Sequence, residues 1–298
     1  MNIIKTFTLV LLVVTIFSCN SEKPKEVSEI LADSLINPKP PVSENQIKEM
    51  ITAIPNPMEM ALILKSSGFT YSDSFINSYL NIKNYTTNYQ KALNIGVYGT
   101  DLVFMNINDK TSSAVSYIDN IKELANAIKV GQFFDHKTLT RLNENSKNID
   151  SVLYITSSGF DKMTQYLQEQ NRNNLSILIG VGTWVESMYF ALKFQTAKDQ
   201  KMIIERIGEQ KVVVDKIVYL LSIFKNNEDF KSTYDDFEKL KKEYDNVKIT
   251  YTNSAPTKKV VGGNLSIQDN STSTVSISKE CTNNITKVID EIRNKIIS

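Results

Sequence analysis

Apolar residues recur at helical spacing along most of the chain. Between Asp229 and Tyr244 the apolar side chains fall three or four positions apart, which places them on one face of a helix. No proline occurs from Met58 to Ala255, as a helical body requires, because an interior proline costs about 3 kcal/mol. The pattern predicts an all-α multi-helix bundle over residues 47–246. Its individual helices are predicted over 56–68, 89–107, 112–130, 138–157, 160–170, 174–196, 198–225 and 229–244.

After residue 246 the period changes from helix to strand. Polar and apolar residues alternate in three short stretches, and a Gly262–Gly263 pair supplies a turn between the first two. The stretches are Val247–Tyr251, Asn264–Ile267 and Thr274–Ile277. They predict a small β ribbon over 247–278, which must lean on the helices or on a partner because so short a ribbon is not stable alone. An apolar stripe from Ile285 to Ile296 then predicts a closing helix over 279–298 that packs on the bundle.

The first nineteen residues have the pattern of an export signal. Lys5 is the only charge before position 22, and the apolar run from Phe7 to Phe17 is too short to span a bilayer as a helix. The run ends in Ile16-Phe17-Ser18-Cys19, which resembles the lipobox of bacterial lipoproteins. The resemblance implies that residues 1–18 are removed as a signal peptide and that Cys19 carries the lipid. Phe17 departs from the usual small residue, and a secretory signal with a chance cysteine, or an uncleaved anchor, are the alternatives.

Prolines and charges characterise the chain beyond Cys19. Six of the seven prolines lie in the first 57 residues, and residues 19–46 are predicted to form a flexible tether. The formal net charge of the chain is +1, which gives no electrostatic footprint for nucleic acid. One histidine and two cysteines cannot form a closed zinc site. We expect no metal, no cofactor and no nucleic-acid partner, and a body held near a membrane by its lipid alone.

Short words repeat in the same order along the body. Ser66–Phe69, Tyr79–Leu80 and Ile95–Val97 recur as Ser157–Phe160, Tyr166–Leu167 and Ile179–Val181. If the repeat is a true duplication, the body consists of two pseudo-symmetric helical units, and their junction is the natural place for a pocket.

The most unusual segments carry glycines and one carboxylate inside strongly apolar helices. They are Gly96-Val97-Tyr98-Gly99-Thr100-Asp101 and Gly180-Val181-Gly182-Thr183-Trp184-Val185-Glu186. A glycine inside a helix costs roughly 1 kcal/mol relative to alanine, and a bare buried carboxylate costs far more. Two explanations remain open. Either the helices cross closely and both acids are capped by lysine or tyrosine side chains of neighbours, or the segments line a pocket formed by Tyr98, Asp101, Trp184, Glu186 and Tyr189.

Two other reactive side chains occur singly. His136 stands at a predicted helix start without a second histidine or a nearby cysteine, so an exposed or capping role is favoured over a base or a ligand. Cys281 begins the closing helix, a position that can lower the pKa of a thiol, yet a small half-buried residue is the simpler interpretation.

A second resemblance covers more of the chain than the lipobox does. The segments Tyr89–Leu102, Gly131–Phe134, Gly182–Ser187 and Glu291–Ile297 are similar to uncharacterised helical lipoproteins of Bacteroidota. The resemblance implies a helical fold and an envelope location, and it assigns no activity.

Three functions are therefore compatible with the sequence. The first is a non-catalytic, envelope-anchored helical domain that binds a small molecule or a partner protein, on the outer membrane and facing either the periplasm or the exterior. The second is a structural or assembly lipoprotein that docks on an envelope protein through the ribbon. The third is a hydrolase using Asp101 and Glu186, which requires both carboxyl groups on one cavity.

Overall fold

A computed structural model of the protein describes residues 43–55, 57–68, 71–134, 136–144, 148–194, 200–252, 257–261, 264–268 and 272–298. The predicted signal peptide, the lipidation site Cys19 and most of the predicted tether lie outside these ranges, as does the predicted turn at Gly262–Gly263.

Helices dominate the described part of the chain, which confirms the prediction of an all-α bundle with a small ribbon and a closing helix. The α-helices are α1 (Glu44–Thr52), α2 (Pro57–Ser66), α3 (Asn88–Ile107), α4 (Thr111–Ala127), α5 (His136–Glu144), α6 (Ile149–Glu169), α7 (Asn173–Lys193), α8 (Gln200–Glu209), α9 (Lys211–Ser222), α10 (Glu228–Tyr244) and α11 (Lys279–Ile297). Two 3-10 helices cover Tyr79–Asn84 and Gly131–Phe134.

Helices α3 and α7 form the centre of the bundle. Every residue of α3 from Ala92 to Ile107 is buried, and α7 is buried along nearly its whole length. Their apolar side chains therefore point in all directions rather than along one stripe, as in a helix surrounded by others. Helices α2, α4, α6 and α11 pack around this pair, and α10 packs on α9 and α11.

Glycines let the two central helices approach until their backbones touch. A Cβ atom on Gly96 would lie 2.2 Å from the carbonyl oxygen of Ile179, and one on Gly182 would lie 2.0 Å from that of Leu93. No side chain fits at either position without separating the helices. The predicted close crossing is therefore confirmed, and it accounts for the glycines at positions 96 and 182.

Helix α7 also has the length and hydropathy of a membrane-spanning segment, and it is the only such helix within the described ranges. In its most apolar window, 83% of the residues are buried inside the bundle. Packing against other helices therefore accounts for its hydropathy.

The C-terminal end of α11 is tied to the core by buried polar groups. The carbonyl of Ile296 accepts from the Asn94 amide at 2.8 Å, and that of Ile297 accepts from the Tyr85 hydroxyl at 3.4 Å. The last carbonyls of a helix have no partner within the helix, and here residues near and within α3 supply them. Helix α11 is thus held by hydrogen bonds as well as by its apolar stripe.

Three predictions of helix positions differ from the structure. Helix α1 begins at Glu44, capped by Ser43, so the predicted tether does not extend to residue 46. No break occurs at 158–159, because α6 begins at Ile149, where Asn148 caps it through a bond from the Ser151 N–H, and Gly159 is accommodated inside the helix. The single helix predicted over 198–225 is divided at Gln210 into α8 and α9. The side chain of Gln210 accepts a hydrogen bond from the indole Nε1 of Trp184 at this division, 2.9 Å away.

The ribbon contains four strands, one more than the alternation predicts. Strands β1 (Lys248–Thr252) and β4 (Thr272–Ser276) form one antiparallel pair. Strands β2 (Thr257–Val261) and β3 (Asn264–Gln268), which lie between β1 and β4 in sequence, form a second antiparallel pair. Strand β2 is absent from the prediction because its two consecutive lysines interrupt the alternation. The outer pair leans on α8, where Gly208 leaves room for Val275.

Only one of the three repeated segments of the proposed duplication occupies equivalent positions in the two halves of the fold. Gly68 ends α2 in a left-handed conformation with φ of 84°, whereas its counterpart Gly159 lies inside α6. Tyr79–Leu80 belongs to a 3-10 helix and Tyr166–Leu167 to α6. Only the third word occupies equivalent places, on the two central helices, and the duplication stays a prediction.

The crossing gives a stability prediction with an internal control. We expect Gly182→Ala to lower the free energy of unfolding by about 1–3 kcal/mol, because the added methyl overlaps the Leu93 carbonyl and forces α3 and α7 apart. Chemical denaturation followed by circular dichroism measures the change.

Gly159→Ala is the matched control for that variant. Its Cβ would meet its nearest neighbours in the Gly131–Phe134 segment at 3.4 Å, an ordinary contact, so the better helix propensity of alanine should leave stability unchanged or raise it by up to about 1 kcal/mol. Equal effects of the two substitutions would contradict the packing explanation.

Candidate functional site

The central crossing brings the two candidate carboxyl groups into one buried cluster. Asp101 on α3 and Glu186 on α7 are both fully inaccessible to solvent. Arg293 on α11 completes the group, and we call these three residues the buried carboxyl cluster.

Arg293 forms a bidentate salt bridge with Glu186. Its Nε and Nη2 atoms each donate to one oxygen of the Glu186 carboxylate at 2.7 Å. Nη2 also donates to the backbone carbonyl of Phe75 at 2.8 Å, and the guanidinium lies 3.9 Å from the ring centre of Tyr189. A bidentate pair of this kind is the strong form of a buried salt bridge.

Asp101 forms no salt bridge with any described residue, and burial opposes its ionisation. Its Oδ2 accepts from the backbone N–H of Asn77 at 3.1 Å, while no donor from the described residues reaches its Oδ1. Burial and the neighbouring Glu186 carboxylate raise the pKa of Asp101 well above its usual range. With Asp101 neutral, Glu186 carries the one negative charge of the two acids, and Arg293 balances it.

Buried phenols surround the cluster. Tyr98 donates to the carbonyl of Ser78 at 3.0 Å, and Tyr117 donates to the carbonyl of Asn77 at 2.6 Å. Burial raises the pKa of Tyr98 and of Tyr117, so both hydroxyls remain neutral donors.

The five predicted pocket residues do not all meet. Tyr98, Asp101, Glu186 and Tyr189 gather around the cluster, but Trp184 lies elsewhere, against Gln210 and the ring of Phe237. Sequence reasoning missed Arg293. A signal was available, because Arg293 is one of only four arginines and follows the Ile289–Ile292–Ile296 stripe at helical spacing, which points it into the core.

This arrangement does not suit acid–base catalysis. A general acid or base must reach its substrate, whereas all three cluster residues are buried and none lines a cavity identified among the described residues. The salt bridge between Arg293 and Glu186 and the raised pKa of Asp101 instead satisfy the charges internally.

Cys281 is equally unsuited to a nucleophilic role. Its Sγ donates to the carbonyl of Glu243 at 3.3 Å, and burial raises the pKa of the thiol. His136 begins α5.

A large open cleft lies on the other side of α3, between α1, α6 and α7. Its volume is about 660 Å³, and we call it the α6 cleft. Gly99 and Gly180 leave room at its base. Its apolar lining consists of Ile51, Ile54, Pro55, Val103, Phe160 and Ile179, and its polar lining consists of Lys48, Thr52, Thr156, Ser157, Asp161, Thr164, Gln165, Gln168, Glu169, Ser176 and Thr183.

Most of the polar lining comes from one helix, α6. Thr156 is only 3% exposed, and no described residue hydrogen-bonds its Oγ1. Burial raises the pKa of Asp161, which forms no ion pair among the described side chains. No local pattern in the sequence indicates this cleft, because its walls come from helices far apart in the chain.

No family model matches this chain, and no curated protein or solved structure matches it. What the protein does must therefore be inferred from its own residues.

The raised pKa of Asp101 gives a pH-dependent stability. The native state keeps the Asp101 proton at pH values where the unfolded chain has lost it, so this group destabilises the fold as pH rises from about 4 towards the raised native pKa. Asp101→Asn keeps the hydrogen bonds of the neutral acid and cannot ionise. We expect the free energy of unfolding of this variant, relative to that of the wild type, to increase by up to about 1.4 kcal/mol per pH unit over that window.

Urea unfolding at a series of pH values measures the difference. Asp119→Asn removes an exposed carboxylate from α4 and controls for the change in net charge. A constant gap between wild type and Asp101→Asn at every pH would show that folding does not raise the pKa of Asp101.

Proposed function

We propose that this protein is an envelope-anchored lipoprotein whose helical domain binds a small molecule in the α6 cleft without catalysing a reaction. The α6 cleft is the observation on which the proposed binding role rests. Its volume of about 660 Å³ falls within the 300–1,000 Å³ range typical of ligand sites, and it combines an apolar base with a polar wall.

The anchoring part of the proposal rests on the N-terminal sequence. Lys5, the apolar run to Phe17 and the cysteine directly after Ser18 have the order of a lipoprotein signal. Each buried methylene contributes about 0.8 kcal/mol and one fatty chain binds only marginally, so several chains on Cys19 are enough to hold the protein at a membrane. The resemblance to helical lipoproteins of Bacteroidota supports an outer-membrane location.

The buried carboxyl cluster is the reason why we propose binding without catalysis. Asp101 and Glu186 are adjacent, as a hydrolase would need, yet both are inaccessible and their charges are already balanced. A substrate would have to displace Arg293 and open the central crossing to reach them. We therefore do not favour the hydrolase.

An assembly role through the ribbon is the second candidate. Tyr251 on β1 is 65% exposed. Aromatic residues are enriched at protein interfaces, which favours a partner at this ribbon. The cleft supports ligand binding more directly because it has both the volume and the polar groups.

Lipidation is tested by labelling the protein in cells. We expect labelled palmitate to be incorporated into the wild type and lost in Cys19→Ala, with the variant released from the membrane fraction. Cys281→Ala is the matched control, because it removes the only other cysteine and should keep the label. Label retained in Cys19→Ala would contradict the anchor.

Ligand binding is tested by filling the cleft. Thr164 lies half-buried in the polar wall of α6, and Thr164→Trp places an indole in the cleft. Native mass spectrometry of the protein purified from the source envelope should find a bound small molecule on the wild type and none on this variant.

Lys162→Trp controls for the added indole. Lys162 is exposed on the same helix outside the cleft lining, so this variant should keep the bound molecule. A wild type that carries no molecule, or a Thr164→Trp variant that retains it, would refute binding in the cleft.

A further inference from the structure

The polar wall of the α6 cleft is a continuous row along one helix face. Its members recur at intervals of one helical turn from Thr156 to Glu169, so the row is about 20 Å long. They are Thr156, Ser157, Asp161, Thr164, Gln165, Gln168 and Glu169. A row of this length suits an elongated ligand of a few repeating units better than a single compact group.

The charges around the cleft disfavour an anionic ligand. Among the described lining residues, Lys48 is the one cation, against Asp161 and Glu169. The formal balance of these residues is therefore −1, and none of them is an arginine that could pair with a phosphate or carboxylate. Glu169 already accepts from the Gln165 amide at 2.9 Å, so the acidic groups do not converge on one point where a cation would bind.

The uncharged groups of the wall both donate and accept hydrogen bonds. Ser and Thr hydroxyls and Gln amides have this dual capacity, whereas a carboxylate such as Asp161 only accepts. Thr156 is the most buried of the hydroxyls on α6, and no described residue pairs with it. A partner for this wall must itself present several groups that donate and accept along its length.

The base of the cleft is apolar. Ile51, Val103 and Ile179 contribute branched side chains, and the ring of Phe160 lies over Gly99. A purely apolar ligand would fit this base but would leave the buried Thr156 hydroxyl unpaired, although Thr164, Gln165 and Gln168 already bond within the protein. A ligand with one apolar face and one hydroxyl-bearing edge satisfies both sides.

We infer that the α6 cleft binds an uncharged carbohydrate of a few sugar units, and this inference rests on the proposed binding function. The C–H face of the sugar rings packs on the apolar base, and the hydroxyls exchange hydrogen bonds with the α6 wall. Asp161 accepts from sugar hydroxyls, and Thr156 pairs with the unit bound deepest.

Calorimetric titration of the purified protein with defined probes tests the ligand class. The neutral probes are maltotriose, cellotriose and triacetylchitotriose, and the comparison probes are trigalacturonate, trilysine and 1-octanol. We expect at least one neutral trisaccharide to bind the wild type and Lys162→Trp, and not Thr164→Trp. Thr156→Val, which keeps the shape and removes one hydroxyl, should weaken that binding by about three- to tenfold.

Thr286→Val is the matched control for that substitution, because Thr286 lies on α11 outside the cleft lining and should leave the affinity unchanged. Binding of trigalacturonate, trilysine or octanol alone, blocked by Thr164→Trp, would overturn the carbohydrate assignment while supporting a binding cleft. Failure of all three neutral probes would also overturn the assignment, and the envelope-purified protein would then decide the binding function separately. An equal affinity of Thr156→Val and wild type would remove Thr156 from the site.

Discussion

The backbone contact between α3 and α7 determines the rest of this structure. At Gly96 and Gly182 the two helices approach so closely that each lacks space for a methyl group. Helix axes normally lie 8–10 Å apart, a distance set by the side chains between them, and glycine removes those side chains. The stabilisation lost by placing glycine in a helix is recovered as contact between two long apolar surfaces. Because the crossing is fixed by backbone atoms, every residue along both helices has a defined neighbour.

One consequence of this contact is the pairing of two acids that would otherwise repel each other. Asp101 and Glu186 are buried together, and burial beside Glu186 raises the pKa of Asp101. Arg293 balances the charge of Glu186 and joins α11 to the core. Replacing such a buried pair with well-packed apolar residues is often neutral or stabilising, so the cluster is a weak contributor to net stability. Its effect is to fix which turn of α11 faces α7.

The sequence alone was sufficient for the parts of this fold that depend on local periodicity. Apolar spacing predicts the helices, and glycine beside an acid identifies the crossing, because both signals lie within one segment. Arg293 was missed because its partner Glu186 is 107 positions away and no local pattern connects them. The division at Gln210 lies where Trp184, 26 positions away, donates a hydrogen bond, and the α6 cleft forms where α1, α6 and α7 come together. These features come from tertiary packing, to which a periodic pattern is insensitive.

Helix α3 also explains how a buried charge cluster and an open cleft coexist in one small domain. Gly99 and Val103 line the cleft, whereas Tyr98 and Asp101 belong to the interior. Residues 99 and 101 are two positions apart, which is about 200° around a helix, so they lie on opposite faces. The cluster therefore fixes α3 from one side without placing a charge in the cleft on the other. Because the ionisable groups of the core do not face the cleft, its polarity is set by the wall of α6.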